Sequence, residues 1–407
     1  MKFKELSLDD RLLEGIEAIG FEDATPVQEA AIPVILEGKD IIASAQTGTG
    51  KTAAFLLPII HQIIQVGHDN NIKALIIVPT RELAVQIDQQ MEGLSYFTSV
   101  SSIAVYGGGD GSSFSREKQA LSEGADVVIG TPGRLIAHLN LGYVKVDQLK
   151  HLILDEADRM LDMGFHDDLM KIISYLPKKR QNLLFSATMP PKIRELARKI
   201  LHEPEEINIA VSKPAERIFQ AAFIVYDNQK IPLATHLLKA KKLQSVIVFC
   251  STKSAAKQLA KELKALKFSA EDIHSDLEQT EREHVLRDFK NRKINILVAT
   301  DIMSRGIDVE DIELVINYDV PNDGEDYIHR IGRTARAASK GVAFTFVNEK
   351  EQRKFQDIET LLGSPVPKGK LPAALGEGPE YRVHKGRSGG QGRSGGGRRK
   401  KSFHKKK

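Results

Sequence analysis

Eight residues constrain this chain more than any others: Ala45-Gln46-Thr47-Gly48-Thr49-Gly50-Lys51-Thr52. They follow the short apolar run Ile41–Ala43 and open a second apolar stretch, Ala53–Leu57. The glycine spacing and the closing Lys-Thr match a phosphate-binding loop, except that Ala45 replaces the first glycine. Glycines let successive backbone N–H groups turn toward an anion, and the N-terminus of the following helix adds positive potential. In such a loop Thr47, Gly48, Thr49 and Gly50 form the cradle. Lys51 reaches the outer phosphates of a nucleotide, and Thr52 places its hydroxyl on Mg²⁺. The competing reading is an ordinary Gly-rich turn between a strand and a helix.

Further apolar runs alternate with helical patterns. They lie at Ala74–Val78, Ile103–Val105, Val127–Ile129, Leu152–Leu154 and Leu183–Phe185. A second series follows at Ala221–Val225, Val246–Phe249, Ile296–Val298, Leu314–Ile316 and Val342–Val347. Continuous Ile/Val/Leu runs between helices predict buried parallel strands, hence an α/β chain. A polar stretch at 208–217, containing Pro214, separates the two series. The expected organisation is a first domain over 1–207, a linker over 208–217 and a second domain over 218–364. A Pro/Gly linker and a tail fill 365–407.

Charge is distributed unevenly. The net charge of +4 conceals a segment, Tyr381–Lys407, with 11 Lys/Arg and no Asp or Glu. The remainder holds 47 basic and 54 acidic residues, a net −7. The tail has almost nothing apolar to bury, so disorder and binding to a polyanion are expected of it. The longest apolar stretch, Phe55–Val66, is interrupted by Pro58, His61 and Gln62 and is shorter than the ~20 residues of a membrane span. The single cysteine, Cys250, excludes an internal disulfide or a Cys-rich zinc site and suits a reducing, cytoplasmic compartment. Cys250 itself reads as a buried strand residue rather than a nucleophile.

Asp155-Glu156-Ala157-Asp158 follows the apolar run ending at Leu154. Carboxylates at the end of a parallel strand, beside a phosphate loop, suit Mg²⁺, which keeps several waters and needs few protein oxygens. Asp155 is assigned to the metal and Glu156 to the attacking water. An acidic helix start favoured by the helix dipole is the competing reading. Together the two motifs point to an NTPase.

With this tetrad in place, the chain from about Phe3 to about Leu362 resembles the DEAD-box ATP-dependent RNA helicases. The resemblance implies two tandem RecA-like domains facing each other across an ATP-binding cleft, with RNA lying across both. Gly20–Gln28, with Phe3 upstream, is similar to the family's adenine-recognition motif, in which Phe21 stacks on the base and Gln28 hydrogen-bonds its edge. Thr25-Pro26-Val27-Gln28 is equally a helix capping box, and both roles stay open.

The same resemblance assigns RNA contacts to Arg81 in Pro79–Leu83, to Gly108 in Gly107-Gly108, and to Thr131 and Arg134 in Thr131–Arg134. In the second half it assigns them to Thr252, Gln279, Arg282 and Thr300. Such hydroxyls, amides and guanidiniums suit a sugar–phosphate track rather than base reading. Asp158, Ser186 and Thr188 are implied to couple the ATP and RNA sites, through hydroxyl contacts to the Asp158 end of the tetrad. His329 is implied to bond across the domains, Asp308 to approach the ribose, and Arg333 and Arg336 to act as arginine fingers on the γ-phosphate. Met303-Ser304 departs slightly from the family's usual pair of small residues.

The expected activity is RNA-dependent ATP hydrolysis, with Lys51, Glu156, Arg333 and Arg336 as the catalytic set, ATP as substrate and Mg²⁺ as cofactor. It would unwind short duplexes or remodel RNA and RNA–protein complexes. The resemblance also implies a monomer off the membrane that recognises RNA largely independently of sequence, with ribosome-assembly or RNA-decay proteins as possible associates. A DNA-tracking ATPase, or an RNA-binding scaffold with weak ATPase, are the readings from other classes.

Overall fold

The computed structural model describes residues 1–45, 49–67, 69–108, 111–209, 218–239, 243–300, 312–322, 324–334 and 341–382. Two parallel sheets dominate them. The first contains β1 (Ile41–Ser44), β2 (Ala74–Ile77), β3 (Ser102–Val105), β4 (Val127–Gly130), β5 (His151–Leu154), β6 (Gln181–Ser186) and β7 (Glu205–Asn208). Its strand order is β3-β4-β2-β5-β6-β1-β7. The second contains β8 (Ile218–Ile224), β9 (Val246–Cys250), β10 (Ala270–Ile273), β11 (Ile296–Thr300), β12 (Leu314–Asn317) and β13 (Gly341–Val347), in the order β10-β11-β9-β12-β13-β8.

Strand periodicity explains why each apolar run is continuous. Ala74, Ile76, Leu183 and Phe185 face the layer that includes helices Pro26–Leu36, Lys51–Val66 and Arg81–Leu94. Leu75, Ile77 and Leu184 face the layer that includes helices Pro132–Leu139, His166–Tyr175 and Pro191–Ile200. The second sheet is covered in the same way: Ile247 and Phe249 pack into one layer, Val246, Val248 and the buried Cys250 into the other. With helices on both faces, alternate side chains meet apolar partners on either side, so no polar alternation survives.

Every expected strand forms, with ends shifted by at most a few residues. Two strands escape the sequence reading: β7, Glu-Glu-Ile-Asn, and β10, Ala-Glu-Asp-Ile. Both are sheet edges, each paired to one neighbour only. Charged residues are tolerated there because part of the strand faces solvent, and they remove the apolar signal.

The composition of residues 365–379 suggests a linker, and the structure corrects this. The segment packs against the second sheet as a strap. Lys368 bridges Ala222 of β8 in parallel, and the Gly369 N–H donates to the Ala222 carbonyl at 2.8 Å. Val366 is buried. A Cβ on Gly378 would lie 2.0 Å from the Ile224 carbonyl oxygen, so that position requires glycine. Gln352 Nε2 donates to the Glu380 carbonyl, and Tyr381 donates to Glu359 at 2.6 Å. Pro and Gly here serve close approach rather than freedom. Ending the chain after Ser364 should destabilise the second domain in urea unfolding by about 2–3 kcal/mol, the scale of one buried aliphatic side chain. Ending it after Arg382 should leave the midpoint unchanged; equal midpoints for both truncations would show that the strap carries no stability.

Candidate functional site

Parallel strands send their C-terminal ends in one direction, and the motifs leave from those ends. The start of the phosphate loop is tied to β6 by Ala45 N–H donating to the Ser186 carbonyl at 3.2 Å. Gln46, Thr47 and Gly48 lie outside the described residues. Gly50 sits at φ +90°, where a Cβ would lie 2.5 Å from Gln28 Nε2. Gln28 is buried; its Oε1 accepts from Thr25 N–H at 2.8 Å and its Nε2 donates to the Gly50 carbonyl at 3.0 Å. The capping role is therefore occupied, and the same amide anchors the phosphate loop. A primary amide has two lone pairs and two N–H donors, so one of each remains for a ligand. Phe21 is exposed and stacks on the buried Phe3 at 6.4 Å between ring centroids. Thr49 and Thr52 are half-buried beside buried Lys51.

Two adjacent carboxylates near Lys51 are driven in opposite directions. Burial pushes the Asp155 carboxyl up to about 6, with Lys51 opposing and Glu156 reinforcing the shift. Burial would raise Glu156 too, but Arg159, Lys51 and His329 outweigh it and hold that carboxyl below its usual range. Arg159 Nη1 donates to Glu156 Oε2 at 3.1 Å. Glu156 adopts φ +50°, ψ +49°, a strained conformation for a non-glycine residue, at the start of helix Ala157–Asp162. Such outliers concentrate at functional sites because surrounding structure must enforce them.

Asp158 joins β5 to β6. Its Oδ2 accepts from the Ala187 and Thr188 N–H groups at 3.1 and 3.0 Å, and its own N–H donates to Ser186 Oγ at 3.3 Å. The expected hydroxyl contacts are thus mostly backbone contacts: only Ser186 uses its hydroxyl.

Residues of the two domains that the sequence assigns to RNA meet one another. Arg81 Nη1 donates to Gln279 Oε1 at 3.3 Å, and Arg282 Nη1 lies 3.7 Å from Glu82 Oε1. Burial and the nearby Arg282 guanidinium both lower the Arg81 pKa. Gly108, at φ +90°, leaves room for Arg81; a Cβ there would fall 1.9 Å from Arg81 Nη1. Thr131 occupies the N-cap position of helix Pro132–Leu139 without a side-chain capping bond, and its N–H donates to the Val105 carbonyl at 3.1 Å. Arg134 differs from the others: its Nε is bound to Glu117 at 2.7 Å, within the same domain. Thr252 caps helix Lys253–Ala265 by accepting from Ala255 N–H at 3.2 Å, and half-buried Thr300 ends β11.

His329 lies on helix Gly324–Ile331, close enough to Glu156 to act on its charge across the domains. Arg333 is buried in the turn after that helix. Asp308, Arg336 and Met303-Ser304 lie outside the described residues.

Comparison with known proteins fits this geometry. The DEAD/DEAH box helicase family matches residues 25–196, and the helicase conserved C-terminal domain matches 229–338. The ATP-dependent RNA helicase CshA of Listeria monocytogenes is 46% identical over 359 residues, covering 88% of this chain and 68% of that protein. The chain belongs to the DEAD-box ATP-dependent RNA helicase family. A CshA from Geobacillus kaustophilus is 41% identical over 371 residues, 91% of this chain and 78% of its own. Among solved structures, Saccharomyces cerevisiae Dbp5 bound to RNA and ADP BeF3 superposes with a TM-score of 0.81 at 31% identity, covering 90% of this chain and 95% of that one. A DEAD box protein from Methanococcus jannaschii is 42% identical, with 91% and 99% coverage, yet its TM-score is 0.54.

Within this DEAD-box chain, several residues around the site escaped the sequence reading. Arg159 has a local signal, its i,i+3 spacing from Glu156 on a helix start. Arg330 resembles a site residue by position but is buried against its own sheet, donating to the Asp319 carbonyl at 2.8 Å with its guanidinium over the Phe249 ring. Glu82 and Glu117 find their arginines only through the fold, and nothing local marks them.

The Asp155 shift yields a pH prediction. Its folded pKa lies above the unfolded value, so its charge opposes folding; that penalty is full above pH 6 and fades as pH falls toward 4. Without Mg²⁺ or nucleotide, Asp155→Asn should stabilise the protein at pH 8 by on the order of 2–3 kcal/mol. Chemical denaturation should show that gain reduced by about half at pH 5. A gain independent of pH would refute the shift.

Proposed function

We propose that this chain is an RNA-dependent ATPase that separates short duplexes or remodels RNA and RNA–protein complexes. One observation carries the reading: Lys51 and the carboxylates of Asp155 and Glu156 share one electrostatic environment, and His329 of the second domain acts on it. A hydrolytic site that senses the other domain can be switched by whatever brings the domains together. Dbp5 bound to RNA and ADP BeF3 and Mss116p bound to ssRNA and AMP-PNP each superpose with a TM-score of 0.81. Those complexes support ATP and RNA as the ligands here.

In this reading Phe21 stacks on adenine, and the spare donor and acceptor of Gln28 meet its edge. Thr47 to Thr52 hold the phosphates, and Asp308 approaches the ribose. Glu156 orients the attacking water: its depressed pKa keeps it ionised, and Arg159 fixes its direction. A weakened base acts better by position than by early proton removal. Arg333 and Arg336 are the fingers that the second domain lends to the γ-phosphate. The donor set suits Mg²⁺, since Asp155 and Thr52 offer only oxygens and the buried Asp155 charge is incompletely balanced. When bound, that ion would neutralise phosphate charge.

Arg81, Gly108, Thr131, Arg134, Thr252, Gln279, Arg282 and Thr300 contact the RNA backbone without reading sequence. The domains divide as 1–207 and 218–364, the second completed by the strap that runs to Arg382, and the enzyme works as a cytoplasmic monomer. The described residues include no helix long and apolar enough to cross a membrane. Glu156→Gln tests the core of the reading. It should keep ATP and RNA binding and lose most RNA-stimulated turnover; near-wild-type turnover would exclude the assignment.

Residues beyond Arg382 lie outside the described structure, but their composition supports an RNA tether. They carry ten Lys/Arg and no acid. Each phosphate neutralised on a single strand adds ~0.7 to the salt slope of log K, so full engagement would contribute ~7. Deleting 383–407 should flatten that slope and raise the RNA concentration for half-maximal stimulation, leaving kcat at saturating RNA unchanged. Coincident log–log plots for the two proteins would remove the tether.

A further inference from the structure

Arg134 is the one first-domain guanidinium assigned to RNA that is already held by its own domain. Its Nε donates to Glu117 Oε2 at 2.7 Å, and its guanidinium lies over the Phe114 ring at 4.6 Å. His138, one turn further along the same helix, places Nε2 2.7 Å from the same Glu117 oxygen and stacks on Phe114 at 4.5 Å with planes 14° apart. Tyr143 bonds His138 Nδ1. With Glu117 ionised, one consistent pattern follows: Tyr143 donates to Nδ1, Nε2–H donates to Glu117, and Arg134 donates to the same oxygen. Burial would raise the Glu117 carboxyl, but His138 and Arg134 outweigh it and keep it charged.

This arrangement immobilises a side chain that is normally mobile. The Arg134 side chain is 16% exposed and that of Glu117 8%. Arg134 Nη2 is buried without a hydrogen-bond partner among the described residues. With Nε bound to Glu117 and the guanidinium held over the Phe114 ring, the fork has one fixed orientation to offer a ligand. Helix Pro132–Leu139 starts at the loop after β4, so Arg134 lies at the same sheet edge as Arg81 and Gly108.

We infer that Glu117 is a positioning residue for RNA: it and Phe114 fix the Arg134 guanidinium so that one edge meets a phosphate. This rests on the reading of Arg134 as an RNA contact. A fixed fork binds better than a mobile one because less rotamer entropy is lost on contact. Charge alone predicts the reverse, since removing a carboxylate near an RNA track should tighten binding of a polyanion. The sign of the effect therefore separates positioning from bulk electrostatics.

The experiment compares Glu117→Ala with Glu117→Gln in the full-length protein, reading RNA affinity, half-saturating RNA, kcat and KM for ATP. Both variants remove the same charge, and only glutamine keeps an acceptor for Arg134 Nε. Loss of one charge-assisted hydrogen bond is worth roughly tenfold or more in a direct contact, so acting through Arg134 a weakening of about three- to tenfold is expected for alanine. Glutamine should bind RNA as tightly as wild type or tighter. In both, kcat at saturating RNA and KM for ATP should be unchanged. If Glu117→Ala does not fold, Glu117→Leu takes its place, keeping volume without an acceptor. Equal RNA affinity for the acceptor-free and glutamine variants would overturn the proposal. Arg134→Ala is the control. If it weakens RNA binding, the acceptor-free Glu117 variant should add no further loss on that background; additive losses would overturn positioning. If Arg134→Ala leaves RNA binding unchanged, the RNA assignment of Arg134 is itself wrong, and the role of Glu117 falls with it.

Discussion

All strands of the first sheet run parallel, so all their C-terminal ends, and all the chemistry carried there, face one way. Strand order then decides which groups become neighbours. β5, β6 and β1 are adjacent, which brings together Asp155 and Glu156, Ser186, and the phosphate loop ending in Lys51. β3, β4 and β2 form the other half of the sheet and carry Gly107-Gly108, Thr131 and Arg81. In the proposed function one edge is thereby divided into a nucleotide half and an RNA half. Asp158 stands in the nucleotide half, and its bonds to Ser186, Ala187 and Thr188 tie the strand carrying the carboxylates to the strand beside the phosphate loop. A shift of either strand must break bonds that leave N–H groups without an acceptor, so the two move together.

Within the nucleotide half, burial raises both carboxylates, and one lysine and one arginine supply the largest opposing charges. Lys51 acts on both carboxylates, and Arg159 Nη1 bonds Glu156. The neighbours are therefore separated in acidity: Asp155 remains an under-compensated buried charge, and Glu156 becomes a firmly ionised group of fixed direction. Adjacent titratable groups pushed apart by environment are a recurring way of dividing roles. Here the division suits Asp155 to a cation and Glu156 to a water molecule.

Legibility in the sequence followed how local each signal is. Central strands such as Ala74–Ile77 were readable because both faces are buried, which forces an unbroken apolar run. Edge strands β7 and β10 were not, since solvent on one side admits Glu205, Glu206, Glu271 and Asp272. The strap after Ser364 looked like a linker because close packing against a strand and flexible connection use the same residues, Gly and Pro. Positions within short motifs, such as Lys51 and Asp155, could be named from spacing. Pairings made by the fold could not: Glu117 lies 17 residues from Arg134, and Glu82 and Arg282 are in different domains. Gln28 shows a third case, in which a helix-capping signal and a ligand-binding signal are carried by the same amide.

The contacts between domains use the same side chains that the RNA reading assigns to the track. Arg81 and Arg282 approach closely enough that one guanidinium lowers the pKa of the other. Gln279 and Glu82 offset part of that repulsion, the first by a hydrogen bond and the second by charge. Two like charges held together in partly buried surroundings oppose domain closure on their own. A phosphate beside both turns the repulsion into a shared attraction, and low local dielectric strengthens that gain. In the proposed function this makes RNA more than a ligand of a closed enzyme. It removes an electrostatic penalty of closing, and closing is what brings His329 and Arg333 to the nucleotide half. Coupling between RNA and ATP then needs no separate relay, because both ligands act on the same two-domain equilibrium.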